Sequence, residues 1–312
     1  MRLLYTRSSR VDWMRRELLR FLTLLLPVLT GCLSHTRKLE QPILAGPILN
    51  ADVLELVKGI NERYEKIQSL TATMDFNATV GGAHQGKQTD YTSFRGYMLF
   101  RKPRMLRVLI KVPVLHTDAL DLASDGNDFS LYFPRNNKVI EGKNSVTKRA
   151  ANPMENLRPN VFVDTMLVSA ISPDQIVSVI HESSTTMNAK IKRMIELPEY
   201  DLTVLTEAAP TSRDAPAKIA KPLRVIHFSR LNLMPTEQDI YNADAELETQ
   251  VLYGPYQDFN GIKFPTTIDI KRPLDEYSIR LTVEKLLVNQ TLTDDQFELP
   301  KLPKGVQVQK LE

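Results

Sequence analysis

The sequence predicts a mainly β protein: a large antiparallel sheet of about ten or eleven strands with two helical insertions. Three observations predict it. After residue 70 most of the chain alternates apolar and polar residues with a period of two, the pattern of strands with one covered and one wet face. Helical periodicity appears in only two stretches, near 52–68 and 160–180, and these do not alternate with the strands, which argues against a βαβ architecture. The 312 residues are 42% apolar and 25% charged, enough for a sizeable core and ordinary for a globular protein.

The N-terminus is organised differently. An arginine-rich segment, Met14-Arg-Arg-Glu-Leu-Leu-Arg20, is followed by the apolar run Phe21–Leu29 and then Thr30-Gly31-Cys32. This is the layout of an export signal. Its nine apolar-run residues rise ~14 Å as a helix, too short for a ~30 Å hydrocarbon core. Leu29-Thr30-Gly31-Cys32 resembles a bacterial lipobox. That resemblance implies lipidation of the Cys32 thiol and cleavage before it, so that 1–31 is a signal peptide and the mature chain hangs from two or three acyl chains, sufficient for stable anchoring. By analogy with the sorting rules of lipobox proteins, which the resemblance brings with it, Leu33 rather than Asp at the next position implies the outer membrane. Cys32 is the only cysteine, which excludes an intramolecular disulfide and CxxC metal or redox sites. The whole chain has 40 basic and 37 acidic residues; without the leader the count is 34 against 35, and nothing in that balance points to nucleic acid.

Taken in order, 32–50 reads as the lipidated cysteine and a tether, with Pro42, Gly46 and Pro47 and no periodicity. Asp52-Val-Leu-Glu55 fits a capping box opening a helix whose apolar face is Val53, Val57, Ile60, Tyr64 and Ile67. The period then becomes two: Ala72, Met74, Phe76, Ala78 and Val80 share one face of a strand ended by Gly81-Gly82. Strands over 91–101 and 104–112 follow, separated by Lys102-Pro103. Asp125-Gly126-Asn127 reads as a hairpin turn before Phe129–Phe133 and Lys138–Glu141. Val161–Ile171 suits a helix presenting Phe162, Met166 and Ala170, stopped by Ser172-Pro173. Strands are expected again at 190–197, 200–206, 223–232, 239–253, 262–272 and 276–289. The clearest alternation is Ala243, Ala245, Leu247, Thr249 and Val251 against Asp244, Glu246, Glu248 and Gln250. Residues 207–222 read as an exposed Ala/Pro-rich loop and 307–312 as a C-terminal tail.

No catalytic constellation emerges. The five histidines are dispersed, with no HExxH, and GxSxG, GxGxxG and P-loop patterns are missing from the sequence. Ser145-Val-Thr-Lys148 matches SxxK without its companion motifs. Asp121–Tyr132 fails as a calcium loop at Ala123 and Tyr132. The sequence therefore points to no enzyme, no metal and no cofactor. It points instead to apolar surface. Two helices cannot tightly cover ten strands spaced at ~4.8 Å, so either the sheet rolls around them or a groove remains. Met74, Phe76, Phe94, Met98, Phe100, Val108, Phe162 and Met166 would line it, methionine being suited to irregular apolar fillings.

Three stretches, Ile60-Asn-Glu-Arg-Tyr-Glu-Lys-Ile-Gln-Ser-Leu-Thr, Gly96-Tyr-Met-Leu-Phe-Arg-Lys-Pro103 and Asp125-Gly-Asn-Asp-Phe-Ser-Leu-Tyr-Phe-Pro134, together with the closing Phe297–Val306, resemble the LolA/LolB-type lipoprotein carrier superfamily in their order along 51–306. The resemblance implies an open, unclosed antiparallel β-barrel of about eleven strands, with helices plugging the concave side and a cavity for acyl chains. It further implies an outer-membrane-anchored protein that binds acyl chains of lipoproteins or phospholipids and takes part in their sorting, with a periplasmic donor or an envelope complex as partner. The alternative is a non-catalytic envelope scaffold or a lipid-sensing regulatory module, as RseB-like proteins resemble. Two features depart from the family: the mature chain, at 281 residues, is longer, and 207–222 has no counterpart. The arginine that helps close the family's lid is assigned to no position here.

Overall fold

The structure, a computed structural model, describes residues 14–16, 36–150, 152–208, 219–299 and 301–311. Leu29, Thr30, Gly31 and Cys32 lie outside the described residues. The chain between them and the first helix is not free along its length. Ile43–Leu44 form a short strand, β1, and the Ala45 and Leu49 N–H groups donate to the carbonyls of Glu196 and Arg230. So 43–49 of the expected tether is laid against the domain.

Asp52 opens helix α1 (Val53–Lys66) as its sequence predicts. Its carboxylate accepts from the Glu55 N–H at 2.8 Å, and the Glu55 carboxylate accepts from the Asp52 N–H at 3.0 Å. Extended backbone at Ile67 turns the chain into β2 (Ser69–Val80). Five antiparallel neighbours follow: β3 (Thr89–Arg101), β4 (Met105–Lys111), β5 (Asp118–Ser124), β6 (Asp128–Phe133) and β7 (Lys138–Lys143). The expected turn between β5 and β6 is present. Gly126 takes φ 104°, and Asp125 Oδ1 accepts from the N–H groups of Asn127 and Asp128.

A second helix, α2, runs only over Pro159–Met166, not to Ile171, and Ile176–Asn188 is strand β8 rather than helix. Tertiary contacts override the helical pattern. Arg224 Nη2 donates to the carbonyls of Ser169 and Ala170, and Asn61 bonds both the N–H and the carbonyl of Ile171, so the chain after Leu167 is held in a non-helical course. Residues 193–197 of the expected 190–197 and all of 200–206 belong to one strand, β9 (Arg193–Glu207). Its Pro198 falls in the gap between two neighbours, β1 at Ile195–Glu196 and β10 (Ala220–Ser229) from Glu199 onward, where a missing N–H costs no ladder bond.

The expected strand 239–253 is two strands, β11 (Pro235–Tyr241) and β12 (Leu247–Tyr253). Asn242 Oδ1 accepts from the N–H groups of Asp244 and Glu246, and Ala245 takes φ 62°. The charged–alanine alternation at 243–246 is thus the exposed tip of a hairpin. Likewise 262–272 divides into β14 (Ile262–Pro265), which pairs only with β13 (Tyr256–Phe259), and β15 (Thr267–Arg272). After β16 (Tyr277–Val288), residues 307–311 are not a tail. They form β17 (Gln307–Leu311), parallel to β7. The described residues hold seventeen strands against about ten or eleven expected: turns divide two of the expected strands, and β1, β8 and β17 form where a tether, a helix and a tail are expected.

Strand β16 returns beside β2, which joins the two meanders into one fifteen-stranded sheet. Its order is β1-β9-β10-β11-β12-β15-β16-β2-β3-β4-β5-β6-β7-β17, with β8 on the other side of β9. The two ends do not pair, so the sheet is open. The register puts one continuous row of side chains on one face. Both helices lie there: α1 packs Leu56 and Ile60 on Tyr200, Leu202, Ile226 and Phe228, while α2 packs farther along the sheet.

Candidate functional site

The predicted apolar residues converge under α2. Met74, Met98, Val108 and Phe162 are fully buried, Phe76, Phe100 and Met166 nearly so, and all seven belong to one cluster. Phe94 packs against that cluster while partly buried, with its ring edge-on to Tyr91. Cross-strand register explains the convergence: Ala72 faces Met98, which faces Val108, and Leu70 faces Phe100, which faces Leu106. From above, α2 inserts Phe162, Val163 and Met166, with Leu167 beyond its end. Phe162 meets Phe76 edge to face with ring centroids 6.5 Å apart. The crevice between Met98, Phe100, Leu106, Phe162 and Met166 leaves no room for a water molecule. In this state the expected groove is filled by the protein's own side chains.

While α2 buries apolar side chains, polar groups fasten its exposed backbone and edges. Arg104, in the β3–β4 turn, donates from Nη2 to Asn160 Oδ1 at 2.9 Å and to both Asp164 oxygens at 3.0 and 3.1 Å. The carbonyls of the last turn, which a helix leaves without partners, are taken from the sheet. Gln238 Nε2 donates to the Asp164 carbonyl at 3.1 Å, and the buried Tyr253 hydroxyl donates to the Thr165 carbonyl at 3.0 Å. Burial raises the Asp164 pKa above its ordinary value even though Arg104 pulls it down. Burial also holds the Tyr253 phenol well above its usual range. Gln238 and Thr249 interrupt the apolar face between the α1 and α2 clusters, and beside them opens a polar cavity of about 250 Å³ reaching Arg158, Arg272 and Asp275.

On the opposite face, register brings together residues that the chain separates. His227 pairs with Asp201 on β9 and with Glu237 on β11, and His227, Glu237 and Asp239 place potential ligand atoms within 4.8 Å of one another. His227 Nδ1 lies 2.8 Å from Asp201 Oδ1. Burial works to lower the imidazole pKa, but the hydrogen bond and charge of Asp201, with Glu237 and Asp239 nearby, carry it above its ordinary value. No local motif signals this ladder; only strand pairing creates it.

No protein-family model and no curated protein matches the chain. Among solved structures it is similar to a LolA superfamily protein from Nitrosomonas europaea, at 14% identity and a TM-score of 0.46, covering 78% of this chain and 97% of that one. It is also similar to a DUF1329 family protein from Desulfovibrio piger, at 14% identity and a TM-score of 0.45, covering 80% and 97%. A third is a domain described as an outer membrane lipoprotein-sorting protein from Vibrio parahaemolyticus, at 12% identity and a TM-score of 0.43, covering 78% and 95%.

Proposed function

We propose that the chain is a lipoprotein anchored at the outer membrane through Cys32, which takes an acyl tail of a lipid or lipoprotein into the space that α2 now fills. In this reading the open sheet is a half-barrel with α2 as its removable filling. The observation that carries it is the contrast between a broad apolar sheet face and its cover, a two-turn helix fastened by a handful of polar contacts. The energies match. Withdrawing Phe162, Val163 and Met166 from apolar surroundings costs about 5–9 kcal/mol at ~1.5–3 kcal/mol per side chain. Burying one long tail returns on the order of 10 kcal/mol at ~0.8 kcal/mol per CH₂. For a tail arriving from water, exchange of helix for tail is then close to balanced, and no catalytic group is needed to drive it. The supporting test is mass spectrometry of lipids co-purifying with the full chain: a stoichiometric fatty acid or phospholipid is expected.

The second reading, a non-catalytic envelope scaffold or lipid-sensing module, is favoured by the filled crevice. Under it the full chain purifies free of lipid, and α2 is permanent core.

A further inference from the structure

The polar cavity beside the first turn of α2 holds more positive charge than its acids neutralise. Asp164 is held by Arg104. Glu248 lies 3.1 Å from Arg272 Nη2, and Asp275 lies 2.6 Å from the same atom. Arg149 Nε stands 3.3 Å from Asp275 Oδ1 without hydrogen-bond alignment. That accounts for every acid on the wall. Arg158 and Lys148 remain, and neither has a carboxylate within ion-pair distance among the described residues. Arg158 is only 8% exposed, so its charge is not relieved by bulk water. Its Nη1 donates to the carbonyls of Glu155 and Leu157, and its guanidinium carbon sits 5.1 Å over the Phe129 ring, which leaves Nε and Nη2 without a partner among the described residues. The two buried arginines differ accordingly. Burial lowers the pKa of Arg158; it works downward on Arg272 too, but Tyr277, Asp275 and Glu248 outweigh it there.

The wall also carries two buried acceptors with no donor, Asp275 Oδ1, on a side chain 1% exposed, and Asn144 Oδ1. The Asn144 amide cannot simply be turned over. Ser124 Oγ donates its proton to the Asp128 carbonyl at 2.8 Å and so accepts from Asn144 Nδ2 at 2.9 Å, which fixes Oδ1 as the free end. A cavity of about 250 Å³ is far larger than one water requires, ~10–15 Å³ on a comparable measure.

We propose that this cavity is a phosphate-ester site, in which Arg158 and Lys148 bind the anionic oxygens and Asn144 and Asp275 accept protons from hydroxyls of the esterified group. The free guanidinium nitrogens of Arg158 offer the forked geometry that phosphate oxygens prefer. The site stands apart from the acyl-tail reading: a free phosphate ester and an anionic lipid headgroup present the same chemistry.

Calorimetric titration of the full chain at low salt tests it with two probes, glycerol 3-phosphate and, separately, dihexanoylphosphatidylglycerol below its micelle concentration. Binding at one site is expected, weakened at least tenfold by Arg158→Gln and several-fold by Lys148→Gln, and unchanged by Lys190→Gln on the exposed β8–β9 turn. Circular dichroism establishes folding; should Arg158→Gln fail to fold, the exposed Lys148 decides. Lys148-sensitive and Arg158-sensitive binding of glycerol 3-phosphate supports the site with a free ester as ligand. The same sensitivity for the lipid probe alone supports it with a headgroup as ligand. Failure of the wild type to bind either probe overturns it, as does binding that neither variant weakens. Lipid binding indifferent to both variants overturns this site and leaves the acyl-tail reading standing.

Discussion

The ring of Phe76 lies against the bare Cα of Gly96 on the neighbouring strand, so close that a methyl group there would stand 2.2 Å from Phe76 Cε2 and 2.5 Å from Cδ2. The same ring meets Phe162 of α2 edge to face. A missing side chain in β3 therefore sets the position of the surface on which the helix rests. Replacing Gly96 by alanine pushes the ring into packed neighbours, a cost of about 1–3 kcal/mol. This exceeds the ~0.5–1 kcal/mol that alanine ordinarily gains over glycine in a strand. Urea denaturation measures the difference; a variant as stable as the wild type contradicts the packing described.

Arg104 is the outer clasp of α2. Its contacts with Asn160 and Asp164 are partly exposed, so Arg104→Gln is expected to cost under about 1 kcal/mol of global stability. Its local effect is larger. Amide hydrogen exchange over 159–166 should accelerate while that of β2 and β3 does not change. Equal protection in both proteins would mean that the clasp does not hold the helix.

The raised pKa of Asp164 has a definite sign. The folded chain keeps a proton on Asp164 at pH values where the unfolded chain has lost it, so this group favours folding increasingly as pH falls through its raised value toward the ordinary ~3.9. Above that window the partial desolvation of its charge opposes folding. The stability of the wild type relative to Asp164→Asn should therefore rise on acidification across the window. A wild-type stability that instead falls relative to Asp164→Asn on acidification would show that Arg104, not burial, governs the carboxylate.

The capping box of α1 gives a simpler expectation. Asp52→Ala removes the acceptor for the Glu55 N–H and should cost about 1 kcal/mol. Thermal unfolding of the two proteins checks it.

How far the sequence disclosed this molecule depended on whether the signal was local. The Asp52 cap, the Ala72–Val80 face and the Asp125-Gly126 turn arise from neighbours in the chain, and each is where its residues predict. The Asn242–Glu246 hairpin escaped because alternating charge looks the same at a turn and along a wet strand face until Asn242 claims two N–H groups. The end of α2 escaped because Arg224 and Asn61, remote in sequence, hold the following segment out of helix. The apolar residues of the site were legible from period alone. That they fill one another's space, with no groove left over, was not, since periodicity reports which face is covered and not what covers it. The Arg158 cavity and the His227 ladder were invisible for a related reason: each is assembled from segments that only sheet register brings together.

The central claim is that α2 occupies a place an acyl tail can take. Titration of a fluorescent fatty-acyl probe into the full chain, wild type against Phe162→Ala, tests it most directly, with circular dichroism to establish that the variant remains folded despite a loss of about 3–5 kcal/mol. The account predicts saturable binding to the wild type and tighter binding to Phe162→Ala, because the ring that a tail must displace is gone. Absence of binding to both folded proteins would contradict it and leave α2 as fixed core in a tethered scaffold.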